Sequence, residues 1–80
     1  MKVKLFIGAH CPHCPVAENI LTRVAKDLGV EVEIIDTSLP TGFNEAAELG
    51  VKALPAFVIN GNLYTSMSEN GLRRLLQEVK

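Results

Sequence analysis

The chain has 80 residues, of which 48% are hydrophobic, and its formal net charge is −1. A single domain covering residues 1–80, with a modest core, is expected from this length. Eight basic and nine acidic residues are spread along the chain, so charge gives no support to a nucleic-acid or membrane partner. No apolar run approaches the ~20 residues that span a bilayer, and no signal-peptide pattern opens the sequence. We therefore expect a cytoplasmic monomer.

The first half of the sequence predicts a strand, a helix and a second strand. Residues 2–8 are short, mostly apolar and end at a glycine, which is typical of a buried strand. Apolar residues at helical spacing predict a helix over residues 12–28, ended by Gly29. Residues 30–36 form the second strand, and this order implies a parallel pair joined by a right-handed crossover. The predicted buried face of the helix consists of Val16, Ala17, Ile20, Leu21, Val24 and Leu28.

The third quarter of the sequence predicts a loop, a short helix and a hairpin. Residues 37–43 contain a proline and a glycine and are predicted as the loop, and the helix follows over residues 44–49. Asn60-Gly61 is a strong signal for a two-residue turn. It separates two strands, residues 56–60 and 62–65, which are therefore antiparallel.

A last helix completes the predicted order β-α-β-α-β-β-α. Ser68 can cap this helix, and Arg73 and Arg74 are assigned to its solvent-facing side. Its predicted buried stripe consists of Leu72, Leu75, Leu76 and Val79. The element order predicts an α/β fold in which a four-stranded mixed sheet is flanked by three helices.

The segment Cys11-Pro12-His13-Cys14 contains the only two cysteines of the sequence and lies between the first strand and the first helix. The N–H groups and dipole at a helix N-terminus stabilise a thiolate, which is the form that attacks a disulfide. Cys14 would lie one turn further along and be less exposed, and Pro12 suits a first turn. Cytosolic disulfides are mostly transient and catalytic. The pattern therefore indicates a reversible disulfide with Cys11 attacking and Cys14 resolving.

With this motif, its element order and the segment Gly50-Val51-Lys52-Ala53-Leu54-Pro55-Ala56-Phe57-Val58, the sequence resembles the thioredoxin/glutaredoxin superfamily over nearly its whole length. Its size is similar to that of the small glutaredoxin-like thioredoxins. The resemblance implies a thioredoxin fold with a cis Leu54-Pro55 bond packed against the disulfide. It also implies a thiol–disulfide oxidoreductase, active in electron transport and cell redox homeostasis, with no cofactor besides its redox-active disulfide. Its partners would be disulfide-bearing substrate proteins and a separate disulfide reductase.

The resemblance also implies roles for residues around the cysteines. A substrate strand would pair with the backbone of Leu54. The Pro12-His13 dipeptide resembles that of the strongly oxidising DsbA-type proteins, so both residues are predicted to tune the redox potential. A partly protonated imidazole stabilises the thiolate and makes the disulfide a stronger oxidant. The predicted substrate-binding residues are His10, Leu54, Pro55, Thr65 and Ser66, with Gly8, Ala9 and Met67 on the same rim.

The sequence departs from both branches of the superfamily. Thioredoxins place a buried aspartate where this chain has Leu5, and its paired lysine is replaced by Val32 or Glu33. Glutaredoxins carry Thr-Val-Pro where this chain has Ala53-Leu54-Pro55. In place of their glutathione-binding Gly-Gly-x-Asp segment, this chain has Ser-Met-Ser-Glu over residues 66–69. Because the aspartate of thioredoxins is replaced by Leu5, the proton of Cys14 is expected to pass to water or substrate.

Three other functions stay open. One is a glutathione-dependent glutaredoxin, and another is a redox-inert interaction domain that uses the fold as a scaffold. The third is a module that binds zinc or copper, because His10 and His13 stand beside the cysteines. Structural zinc sites usually use two separated ligand pairs, and no second pair is present, so no metal site is predicted. The simpler interpretations are that His13 is an exposed residue without a tuning role and that Tyr64 and Met67 serve packing. The phenylalanines at 6 and 57 and the leucines are assigned to the core.

Overall fold

The computed structural model describes residues 1–65 and 67–79. Within them the elements are β1 (Lys2–Ile7), α1 (Cys14–Leu28), β2 (Glu31–Asp36), α2 (Pro40–Leu49), β3 (Ala56–Ile59), β4 (Asn62–Tyr64) and α3 (Glu69–Val79). The predicted α/β class and element order are confirmed. The strands form one mixed sheet in the order β2-β1-β3-β4, so β2 and β4 are its edges.

The strand pairings follow from the connections between the elements. The crossover through α1 makes β1 and β2 parallel, with Lys2 opposite Glu31 and Ile7 opposite Asp36. β3 is antiparallel to β1 and to β4. At the hairpin Asn60 and Gly61 have φ values of 54° and 81°. Both residues are thus left-handed, as the tight two-residue turn predicted for them requires.

The central strand β1 is buried on both faces of the sheet. Because side chains alternate along a strand, Val3 and Leu5 face one side and Phe6 the other, and all three are 0% exposed. α1 and α3 cover the first side, where they enclose the larger core, and α2 covers the second. The larger core consists of Val3, Leu5, Ala17, Leu21, Val24, Ala25, Val30, Phe57, Ile59, Leu72 and Leu76. The smaller core consists of Phe6, Ile35, Ala46 and Ala56.

Helix α1 begins at Cys14, so the predicted start at Pro12 is wrong by two residues. Pro12 and His13 form a turn, and the proline of the first helical turn is Pro15. Val16 is 56% exposed and does not belong to the buried face, because it lies about 100° around the helix from Ala17, outside the buried stripe of Cys14, Ala17, Leu21 and Val24. Gly29 ends the helix in the left-handed conformation, with φ 69°.

Helix α2 begins at Pro40 rather than at residue 44. Proline suits a first helical turn because its missing N–H would have no helical partner there. Phe43 then donates its N–H to the Leu39 carbonyl at 2.9 Å. Gly42 is buried, and a Cβ atom on it would collide with the backbone carbonyl of Asp36. The proline and glycine that predicted a loop therefore form the first turn of a helix packed against the end of β2.

The assignment of all leucines to the core is wrong, whereas Phe6 and Phe57 are buried as predicted. The exposed leucines lie in loops, in the edge strand β4 and on the outer side of α2, where no helix covers them. They are Leu39, Leu49, Leu54 and Leu63, which are 56%, 44%, 37% and 41% exposed. Val79, at the end of α3, is 36% exposed.

Helices α1 and α3 are joined by a network of ion pairs. Arg23 contacts Glu69 at 2.9 Å. Arg73 contacts Asp27 at 3.0 Å and Glu69 at 3.2 Å. The assignment of Arg73 to a purely solvent-facing side is therefore wrong, whereas Arg74 is exposed as predicted. Glu69 follows Ser68, whose hydroxyl accepts the Gly71 N–H at 3.1 Å as the predicted cap.

No helix among the described residues is long and apolar enough to cross a membrane.

Replacing Gly42 by alanine tests the contact between α2 and β2. Alanine normally stabilises a helix relative to glycine by about 0.5–1 kcal/mol. Here we expect the opposite sign, a loss of about 1–3 kcal/mol, because the new methyl group overlaps backbone that cannot move independently. Urea unfolding measures the change, and Asn44→Ala on the exposed side of α2 is the control. A Gly42→Ala protein as stable as the wild type would contradict this packing.

The ion pairs of Glu69 predict a specific acid sensitivity. The hydrogen bond from Arg23, and then that from Arg73, lower the pKa of Glu69 below its ordinary value. The resulting stability is present above the unfolded-state pKa of about 4.3 and is lost as the pH falls through the lower folded-state pKa. Glu69→Gln should therefore lose stability at pH 7 but much less at pH 3, measured by thermal unfolding. Glu78→Gln on the same helix is the control, and an equal loss at both pH values would count against the prediction.

Candidate redox site

The two cysteines form a disulfide at the junction between β1 and α1. Their Cα atoms are 5.4 Å apart, and the Cys14 N–H donates to the Cys11 carbonyl at 3.3 Å. Cys14 is 4% exposed, because it is the first residue of α1 and faces the sheet, whereas Cys11 precedes the helix and is partly exposed. Solvent and a partner molecule thus reach the first cysteine more easily than the second.

The N-terminus of α1 points its backbone N–H groups toward this loop. His13 is the N-cap residue, and its side chain makes no capping hydrogen bond. The positive end of the helix dipole is therefore not offset by a side-chain acceptor at the cap, and an anion close to it is stabilised. A thiolate on Cys11, three residues before the first helical residue, would be such an anion.

A groove of about 410 Å³ opens beside the disulfide. His13, which lies between the cysteines, is one of its lining residues. The α1 side adds Val16, Ala17 and Ile20, and the opposite side consists of Ala53, Leu54, Pro55, Phe57, Thr65 and Met67. We call this surface the disulfide groove. Its lining is largely apolar, so it fits the apolar parts of a polypeptide better than a charged ligand.

The structure brings several of the predicted site residues together in this groove. Leu54, Pro55 and Thr65 line it, and the Leu54-Pro55 peptide bond is cis. His10 and Pro12 are exposed in the loop around the disulfide but do not line the groove. The predicted site residue Ser66 lies outside the described residues.

Part of the groove does not follow from the sequence pattern. Val16 and Ile20, predicted to face the core, line the groove together with Ala53, for which no role is predicted. One signal is present, because the apolar positions of α1 span a wider arc of the helix than its buried stripe of Cys14, Ala17, Leu21 and Val24. Met67 combines both interpretations proposed for it, since it packs against the larger core and also lines the groove.

Gly8 sets the position of Leu54. A Cβ atom on Gly8 would lie 2.6 Å from Leu54 Cδ1 and 3.3 Å from Thr37 Oγ1, so the leucine packs directly over the glycine backbone. Thr37 ties the same region together, because its N–H and its hydroxyl each donate to the Ile7 carbonyl at 2.8 Å. The end of β1 thereby supports the segment that faces the cysteines.

Cys14 is the one titratable side chain in the described interior. Leu5 is fully buried, and the other buried side chains among residues 1–65 and 67–79 are apolar. The ion pairs among these residues join partly exposed side chains. No carboxylate of the described residues is therefore buried where it could receive a proton from Cys14.

In the part of the chain that the structure describes, no group of three or more His, Cys, Asp or Glu side chains is placed to hold a metal ion.

Comparisons with known proteins agree with this geometry. A family model described as "Thioredoxin domain" matches residues 1–76. A protein of Archaeoglobus fulgidus named "Probable Thioredoxin" is 36% identical over 80 residues, covering 98% of this chain and 88% of the relative. A protein of Methanocaldococcus jannaschii named "Thioredoxin" is 35% identical over 63 residues, covering 79% of this chain and 74% of the relative.

Solved structures show the same fold. Thioredoxin 1 of Thermosipho africanus superposes with a TM-score of 0.76 at 19% identity, covering 99% of this chain and 98% of the other. Fasciola hepatica thioredoxin superposes with a TM-score of 0.80 at 24% identity, covering 99% of this chain and 80% of the other. None of these matches favours a glutaredoxin or a metal-binding module.

Proposed function

The chain belongs to the thioredoxin family and is a thiol–disulfide oxidoreductase, and from this premise we propose how its own residues carry out the exchange. The observation that carries the proposal is the difference in exposure between Cys14, at 4%, and the partly exposed Cys11. The accessible sulfur meets the substrate, and the buried sulfur acts only within the protein.

In the proposed reaction the reduced protein donates two electrons to a substrate disulfide. The Cys11 thiolate attacks one substrate sulfur, which breaks the substrate S–S bond, forms a mixed disulfide and releases the other substrate sulfur as a thiolate. Cys14, once deprotonated, attacks the Cys11 sulfur. The mixed disulfide breaks, the second substrate thiol leaves, and the Cys11–Cys14 disulfide of the present structure forms.

Proton transfer in this reaction uses groups outside the interior. The proton of Cys14 passes to water or to the departing substrate thiolate, since no buried polar or charged side chain is present among the described residues to receive it. The N-terminus of α1 stabilises the Cys11 thiolate. The role of His13 is to strengthen this effect, with Pro12 keeping the intervening turn short.

Substrate recognition is assigned to the disulfide groove. An extended substrate segment pairs with the backbone of Leu54 beside the cis Pro55, in the manner of an added strand. Thr65 and His10 border that segment from two sides, and Ser66 is assigned to substrate binding from the sequence alone. The partners are disulfide-bearing proteins and a separate reductase, and no cofactor beyond the cysteine pair takes part. We further propose that the protein acts as a cytoplasmic monomer, without a nucleic-acid or membrane partner.

Replacing the resolving cysteine should trap the intermediate. In Cys14→Ser the mixed disulfide on Cys11 cannot be resolved, so substrate proteins from a lysate should remain covalently attached until dithiothreitol is added. Non-reducing electrophoresis detects them, and both this variant and Cys11→Ser should lose the reduction of insulin disulfides. Cys11→Ser is the matched control, because it keeps a cysteine but should trap nothing. Trapping by Cys11→Ser instead would reverse the assigned roles.

Removing the imidazole between the cysteines should make the protein more reducing. Positive charge or an N–H group of the His13 imidazole beside Cys11 would stabilise the thiolate, and hence the reduced form, so His13→Gly should lower the reduction potential by tens of millivolts. About 30 mV corresponds to a tenfold change in the equilibrium constant of a two-electron couple. Equilibration with glutathione measures the potential, and His10→Gly serves as the control. An unchanged or a more oxidising potential in His13→Gly would rule out the tuning role.

A further inference from the structure

A second groove lies on the opposite side of Leu54 from the disulfide groove. Its volume is about 240 Å³, and its lining consists of Thr37, Phe43, Ala46, Ala47, Val51, Lys52, Ala53 and Leu54. We call it the α2 groove, because three of these residues belong to that helix. The exchange reaction described above does not use it.

The α2 groove is apolar except at one point. Phe43 is 61% exposed although it is aromatic, and the hydroxyl of Thr37 already donates to the Ile7 carbonyl. Lys52 is exposed and is the single charged residue among the eight described residues that line the groove. An occupant would therefore place an apolar group inside and a negative charge at the rim.

The floor of this groove is held in place by the smaller core. Ala46 is 6% exposed and belongs to that core. Val51 packs against it, and its N–H donates to the Ala46 carbonyl at 2.9 Å. A groove with such a floor exists before binding, so an occupant would not have to order it.

The two grooves are continuous at the residues that precede the cis-proline. Ala53 and Leu54 line both of them, so the 37%-exposed side chain of Leu54 stands between them. A polypeptide whose disulfide is at Cys11 can thus reach the α2 groove without leaving the surface. The volume of the α2 groove lies below the ~300–1,000 Å³ typical of small-molecule sites, which favours a single side chain as the occupant.

We propose that the α2 groove is a specificity subsite that takes a large apolar side chain of the disulfide-bearing substrate protein, with a neighbouring carboxylate facing Lys52. This proposal rests on the exchange function described above. It divides substrate recognition between a reacting side, at the disulfide groove, and a selecting side, at Phe43 and Lys52.

Synthetic disulfide peptides test the proposal. Each peptide has one cysteine joined to 2-mercaptoethanol and carries a Phe-Asp pair at two, three, four or five residues from it; matched peptides carry Ser-Asn instead. At one of these spacings, wild-type protein that has been reduced with dithiothreitol and then separated from it should reduce the Phe-Asp peptide with a second-order rate constant roughly tenfold higher or more than that for the Ser-Asn peptide, given the usual gain from burying an aromatic side chain. Phe43→Ser and Lys52→Glu should each reduce this preference severalfold.

Two matched variants separate the groove from general effects. Leu49→Ser removes a different exposed apolar side chain from α2, and Lys26→Glu makes the charge change of Lys52→Glu on α1 instead. Both variants should keep the wild-type preference. The rate with hydroxyethyl disulfide, which has no side chain for the groove, is measured for every variant. Loss of preference in the controls, or equal losses for peptide and hydroxyethyl disulfide in Phe43→Ser, would overturn the proposal.

A binding measurement distinguishes this subsite from the exchange function. The oxidised protein is titrated with the Phe-Asp peptide in which serine replaces cysteine, and amide shifts of Ala46, Ala47 and Val51 are followed by NMR. Shifts at these residues with the serine peptide, together with no reduction of the disulfide peptides, would support the subsite and contradict the exchange function. Reduction of the disulfide peptides without these shifts would support the exchange function and contradict the subsite. A wild-type dimer that Phe43→Ser dissociates would show that a second copy occupies the groove, and would also overturn the proposal.

Discussion

The burial of β1 on both faces is the constraint on which the rest of the structure depends. Val3 and Leu5 require a cover of helices on one side, and Phe6 requires one on the other. Because both faces must be covered, the chain crosses over through α1 on the first side and returns through α2 on the second. The end of β1 is then fixed at Ile7, where the Thr37 N–H and hydroxyl hold its carbonyl. The cysteine loop starts from this fixed point.

The placement of the cysteines follows from that arrangement. Cys14 begins a helix that packs on the sheet and is buried, whereas Cys11 lies before the helix and stays partly exposed. Leu54 reaches the same place from the other direction and packs over Gly8. The difference in exposure between the two cysteines, on which the proposed order of attack rests, is thus a consequence of where β1 ends and α1 begins.

The sequence predicted the fold well where a pattern depends on local chemistry. The turn at Asn60-Gly61, the cap at Gly29 and the element order belong to this class. Errors arose where a residue type is compatible with two local structures. Proline can begin a helix or interrupt one, and for Pro40 the packing of α2 against β2 determines which of the two forms. The cysteine pair and the Leu54-Pro55 side of the groove were predicted from the sequence, but the α1 side of the groove was not. Val16 is apolar at helical spacing, and its exposure depends on which arc of α1 packs against the sheet, which no local pattern records.

The order β2-β1-β3-β4 also bears on the behaviour of the protein at high concentration. As an edge strand, β2 has one row of backbone N–H and C=O groups that no strand of the described sheet pairs, and such rows can recruit a neighbouring molecule. Glu31 is exposed on this strand and Glu33 partly so, and Glu33 is only loosely paired, at 3.7 Å from Lys2. Two molecules that met edge to edge would bring these carboxylates together. The strand that completes the parallel pair thus also carries charges that oppose edge-to-edge association.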